Sequence, residues 1–180
     1  MLTSIRFSTI IFTLFCAISA VGADTFTAGP VIKSYGKHAQ VQQDLKLDKS
    51  NVFNVAFDLG AQGNVGKVNG RIETLARFIN MHVANGVPLE NINLALVVHG
   101  KAGFDLLKAP LYQHKYQQEN ANVALVQALL KNQVKIYICG QSAAYHGITN
   151  DMVLPSVEMA LSAMTAHATL QNQGYTLNPF

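Results

Sequence analysis

The sequence predicts an α/β fold: a single domain of three layers, α/β/α, around a mainly parallel sheet of about five strands. Three observations carry that expectation. Short apolar runs rich in β-branched residues at 52–58, 93–98 and 134–139 alternate with stretches of helical period at 72–83 and 122–132. The second and third runs are apolar almost throughout, as in strands covered on both faces. The 180 residues suit one domain with a substantial core. In such sheets the functional site lies at the carboxyl ends of the strands.

Residues 1–23 hold one basic residue, Arg6, an apolar run at 7–18 and the small residues Val21-Gly22-Ala23, the pattern of a secretory signal peptide. An uncleaved anchor is the competing reading, but the run falls short of the roughly 20 residues a spanning helix needs. Phe15 before Cys16 argues against a lipid-anchored cysteine, because that position wants a small residue. Cleavage removes Cys16 and leaves Cys139 as the sole cysteine, so the expected location is periplasmic or secreted and no internal disulfide can form. Loss of Arg6 lowers the formal charge from +3 to +2. That is too small and too evenly spread for nucleic acid, and no stable membrane insertion is expected after cleavage. Charged residues are only 13% of the chain, which hints that subunits of a homo-oligomer cover part of its surface.

Residues 24–50 show no sustained period and read as an extended arm packed on the domain at 51–180. After the first strand come Gly60, Gly63 and Gly66, without the spacing of a dinucleotide fingerprint or the Lys-Ser/Thr of a phosphate loop. Ile72, Leu75, Ala76, Ile79 and Val83 form one helix face, with Gly86 as its stop and Pro88 just past it. The strand at 93–98 ends on His99-Gly100, much as the next ends on Cys139-Gly140. The segment 101–120, rich in Tyr, Gln, Lys and His, reads as a lid or binding surface, or as a solvated insertion with a short helix near 104–107. Asn122 is the expected cap of a helix burying Leu125, Val126, Leu129 and Leu130. The tail reads as strand 157–161, helix 163–173 and strand 175–177, or as one continuous helix over 156–173.

Cys139 stands where a strand gives way to a glycine, and a helical turn over 141–146 would aim free N–H groups and the positive end of its dipole at the sulfur. That placement favours thiolate. The plainer reading is a small buried apolar residue, since cysteine is among the residue types most often buried.

Cys139-Gly140-Gln141-Ser142-Ala143 followed by Gly147-Ile148 resembles the cysteine motif of the DsrE/DsrF-like family. The resemblance extends through 122–130 and 96–100, and covers most of 51–180. It implies that Cys139 accepts sulfane sulfur and passes it to a thiol, with a sulfur donor or acceptor protein or a small thiol as partner. It also implies that the strands ending at His99 and Cys139 are neighbours, close enough for imidazole and thiol to meet. Gly140, Gln141 and Ser142 would hold the anion, and His99 would pair with the thiolate or shuttle a proton; a strand-end histidine bonded to the backbone is its plainer role. A persulfide needs no cofactor. His146 is expected only to close the short helix.

Zinc would want clustered ligands that one cysteine and scattered histidines do not provide, so no metal is expected. Ser142 stands where a thioredoxin-type motif would have its second cysteine, and no oxyanion motif of a cysteine hydrolase is present. A sulfurtransferase or persulfide carrier is thus one expectation. A non-enzymatic oligomeric binding protein with a structural cysteine is the other, kept open because the well-known relay members of the family work in the cytosol.

Overall fold

The computed structural model describes residues 25–178, so the expected signal peptide with its Cys16 lies outside the described residues. Two short antiparallel strands, β1 (Phe26–Thr27) and β2 (His38–Ala39), open the described chain. This arm is pinned to the domain by Asn80, whose buried amide accepts from Ile32 N at 2.9 Å and donates to the carbonyls of Ile32, Tyr35 and Gly36.

The core is a five-stranded parallel sheet formed by β3 (Phe53–Leu59), β4 (Ile92–Val98), β5 (Lys135–Cys139), β6 (Glu158–Ala160) and β7 (Thr176–Asn178). Its order is β6-β5-β4-β3-β7, every pairing is parallel, and β4 neighbours β5. Alternation divides each strand between two faces. Val55, Phe57 and Leu59, with Leu94, Leu96, Val98, Ile136 and Ile138, face the main core. Over them pack α1 (Gly70–Ala84), through Ile72, Leu75, Ala76 and Ile79, and α3 (Val123–Lys131), through Leu125, Val126 and Leu129. Each such Ile or Leu, fully withdrawn from water, stabilises the fold by roughly 1.5–3 kcal/mol.

The opposite face is thinner. Ala56, Ala95 and Val97 let one helix, α5 (Ala163–Asn172), settle on the sheet through Ala166 and Leu170. Helices on both faces make the expected three layers. The break between β6 and α5 is fixed by Ser162, whose hydroxyl accepts from Thr165 N at 3.0 Å and caps α5. The tail is therefore strand, helix, strand, and not one helix.

Two expectations need correction. The segment after β4 is not a solvated insertion, although it does carry the short helix expected near 104–107. It forms a 3₁₀ helix (Gly100–Leu106) and α2 (Ala109–Tyr116), with Ala102, Leu106, Leu107 and Tyr112 buried in the main core. Asn122 precedes α3 but its side chain does not cap that helix. Its carbonyl oxygen accepts from Asn69 N at 2.7 Å, a tertiary partner that outcompetes the local one. Asn69 itself caps α1 by accepting from Arg71 N. Among the described residues no helix is long and apolar enough to cross a membrane.

Candidate functional site

β5 ends at Cys139, and α4 (Gly140–His146) starts immediately after it. Cys139 is the N-cap of α4, and its sulfur accepts from Ser142 N at 3.5 Å. Gly140 is required here by the approach of two backbones: a Cβ on it would lie 2.7 Å from Ala160 O and 3.2 Å from Leu161 O. That close approach brings the start of α5 to the thiol. Burial pushes the Cys139 thiol up. Hydrogen bonds from the Ser142 N–H and hydroxyl, then from the Ala163 and Gln141 N–H groups, outweigh it and hold the thiol below its ordinary value.

Cys139 is only 5% exposed, so the thiol is less open than sequence reasoning expected for a relay cysteine. Its cover is nonetheless unlike a hydrocarbon core. Cys139 belongs to neither apolar cluster, and its sulfur accepts from the Ser142 N–H at the start of α4.

The register pairs Val98 with Ile138, so His99, just past the end of β4, and Cys139, the last residue of β5, each follow that pair on neighbouring strands. No hydrogen bond joins them. Instead His99 Nε2 meets Asp58 Oδ2 at 3.1 Å, and the other carboxylate oxygen, Oδ1, meets His167 Nε2 at 2.8 Å. Asp58 lies on β3, and His167 lies one turn along α5 from Ala163. Burial raises the Asp58 carboxyl, but the hydrogen bonds from His167 and His99 prevail and hold it below the usual carboxylate value. Gly60 makes room for the His99 ring, since a Cβ there would sit 2.6 Å from His99 Cε1.

Sequence reasoning named Cys139, His99, Gly140, Gln141 and Ser142, and all five lie together at the carboxyl edge of the sheet. Gln141 contributes its backbone N–H to the thiol, while its side-chain amide donates to Leu161 O at 3.2 Å. His146 sets its ring at a tilt against Phe104, with centroids 5.1 Å apart and planes 53° apart, and is the last residue of α4 as expected. Asp58 and His167 were missed. The available signals were a carboxylate at the end of an apolar strand and a histidine on the apolar face of a helix, at the spacing of Ala163, Ala166 and Leu170.

The glycine loop after β3 has no free cradle for phosphate at Gly63 or Gly66. Gly63 N donates to Asp105 Oδ2 at 2.8 Å and Gly66 N to Tyr112 Oη at 3.3 Å. Among the described residues no group of three or more His, Cys, Asp or Glu is placed to hold a metal ion.

The model of the DsrE/DsrF-like family matches residues 66–179, which include His99, Cys139 and all of α5. The chain belongs to the DsrE/DsrF-like family. No curated protein matches it. Among solved structures it is similar to MTH1491, a protein of unknown function from Methanobacterium thermoautotrophicum, with a TM-score of 0.52 and 16% identity. That similarity covers 71% of this chain and 99% of the other, and speaks to the fold alone. Sulfur relay with partner proteins is the role that the family suggests in general.

Proposed function

We propose that this DsrE-family protein handles sulfur through Cys139, accepting a sulfane sulfur and passing it to a partner thiol. The observation that carries this reading is the thiol at the N-cap of α4, lowered by the N–H groups of two helix starts. The thiolate is the nucleophile in exchange at sulfur, and helix-start N–H groups favour it without committing a metal or cofactor.

The step balances without an external oxidant. Cys139 gives its proton to His99, and the thiolate attacks the outer sulfur of a donor persulfide, R–S–SH. The donor's S–S bond breaks, its inner sulfur leaves as R–S⁻ and takes the proton from His99, and Cys139 holds the –S–SH group. Attack by an acceptor thiolate on that outer sulfur reverses the sequence. Export by a signal peptide at 1–23 and assembly into a homo-oligomer belong to the same proposal. Export rests on the sequence pattern of the first residues, and assembly on sparse charge together with exposed Tyr145 on α4, Leu161 between β6 and α5, and Met164 in the first turn of α5.

A second reading, a non-enzymatic oligomeric binding protein with a structural cysteine, is favoured by the 5% exposure of Cys139. Mass spectrometry after incubation with glutathione persulfide separates the two. The relay reading expects a gain of about 32 Da that dithiothreitol removes and that Cys139→Ser abolishes. An unchanged mass, with a thiol that resists alkylation at neutral pH, rejects it.

A further inference from the structure

Two of the four groups gathered at the carboxyl edge, Asp58 and His167, have no part in the exchange as written above. Both oxygens of Asp58 are engaged, Oδ2 by His99 and Oδ1 by His167. An ionised carboxylate has no hydrogen to give, so each ring nitrogen facing it must carry one. Both imidazoles are thereby held with hydrogen on Nε2. His99 is left with Nδ1 as the nitrogen free to exchange a proton with a thiol, on a side chain that is 37% exposed.

His167 is more enclosed, with a side chain 15% exposed and a buried Nδ1 that has no partner. Its bond to Asp58 is therefore its sole polar anchor, and α5 carries that anchor on the turn after the Ala163 N–H that faces the sulfur. One helix thus addresses both the thiol and the carboxylate. The titratable groups meeting here are Asp58 from β3, His99 at the end of β4, Cys139 from β5 and His167 from α5.

We infer that Asp58 and His167 are positioning residues for sulfur exchange at Cys139. Asp58 fixes the tautomer and ring plane of His99 and stabilises the imidazolium that forms when His99 holds the proton in transit. His167 fixes the Asp58 carboxylate from the other side. The division of labour is that of a nucleophile, a base and an orienting carboxylate, with a second imidazole steadying the carboxylate. The inference rests on the sulfur-exchange reading and adds two residues to it. A plain clasp tying α5 to β3 would use the same hydrogen bonds but would leave the exchange rate untouched.

The test measures the rate of sulfur uptake from glutathione persulfide across pH on the purified full chain. Wild type is compared with His99→Gln, Asp58→Asn, His167→Gln and the double variant Asp58→Asn/His99→Gln. Alkylation of the fully ionised thiol at high pH serves as control. General acid–base contributions of about 10²–10⁴ set the scale. Asp58→Asn and His99→Gln are each expected to slow uptake about 10²-fold and to remove the same limb of the pH profile, and His167→Gln about 10-fold. High-pH alkylation should stay at the wild-type rate. The double variant should be no slower than His99→Gln, because one pathway cannot be lost twice. Nitrogen NMR should show both rings as the Nε2–H tautomer in wild type and a mixture at His99 in Asp58→Asn.

Wild-type uptake in Asp58→Asn and His167→Gln, multiplying losses in the double variant, or a wild-type His99 with hydrogen on Nδ1 each overturns the inference alone. If Asp58→Asn does not fold, His167→Gln carries the same comparisons. Absence of sulfur uptake in the wild type overturns the exchange reading, and this inference with it.

Discussion

Gly60 offers a perturbation aimed at His99 without touching a polar group. Its φ lies outside the left-handed region, so Gly60→Ala is compatible with the backbone and its effect comes from the added methyl. That methyl would sit 2.6 Å from His99 Cε1. Ordinary carbon contact is roughly 3.5 Å, so the ring must retreat by about 0.9 Å. The His99–Asp58 bond is already 3.1 Å long, and such a retreat breaks it. A hydrogen bond to a charged group contributes about 1.5–3 kcal/mol, and partial exposure of this pair reduces that to around 1 kcal/mol. Replacing glycine recovers about 0.4–1 kcal/mol by restricting the unfolded chain. The two nearly cancel, and the melting temperature should move by no more than about 3 °C. Sulfur uptake should respond strongly, since a misplacement of about 1 Å in a catalytic group costs about 10²-fold. Calorimetry and the persulfide assay on one preparation check both halves. A Gly60→Ala protein that takes up sulfur at the wild-type rate would show that the His99 ring position is irrelevant to the chemistry.

Alkylation of Cys139 with iodoacetamide should follow a titration centred below the ordinary thiol value, slowing as pH falls through that midpoint; a midpoint at or above the ordinary value contradicts the role given to the helix-start N–H groups. Gly140→Ala drives a methyl against the backbone oxygens of Ala160 and Leu161, which cannot swing aside. We expect a loss of roughly 1–3 kcal/mol by urea unfolding and a higher alkylation midpoint as the Ala163 N–H draws away, and an unchanged midpoint speaks against that contact. Asp105, 1% exposed, accepts from Gly63 N and Asn69 Nδ2, both at 2.8 Å, and burial raises its carboxyl. A raised folded value means that its contribution to stability is complete below the unfolded value and is lost as pH rises through the folded one. Asp105→Asn should flatten that decline, whereas Asp105→Ala, leaving two buried donors unpaired, should cost roughly 2–6 kcal/mol. Unfolding curves in urea across pH check both, and an equal pH slope in Asp105→Asn removes Asp105 as its cause.

The parts of this protein legible in its sequence are those governed by local chemistry. The three central strands announce themselves because both faces are covered, and α1 because Ile72, Leu75, Ala76 and Ile79 recur at helical spacing. Cys139 and His99 could be named because each precedes a glycine at a strand end. The segment after His99 misled because Ala102, Leu106 and Tyr112 are diluted among polar residues, and one of those, Asp105, is itself buried. Asn122 misled because its partner, Asn69, lies 53 residues away. The same limit hid half of the site: Asp58 is 41 residues from His99 and 109 from His167, and nothing local to any of them advertises the pairing.

A cysteine kept for packing alone would be expected to touch the side chains that fill the sheet's interior. Its neighbours Ile136 and Ile138 do that on the main-core face, where they are 1% exposed. Cys139 lies on the other face, where its sulfur accepts from the Ser142 N–H at the start of α4. Burying a thiol among donors has little value for a hydrocarbon core, but it lowers the free energy of the thiolate. The same layer holds a carboxylate gripped by two imidazoles, an arrangement a purely structural edge could replace with alanine or valine, as Ala56, Ala95 and Val97 already do one residue pair deeper.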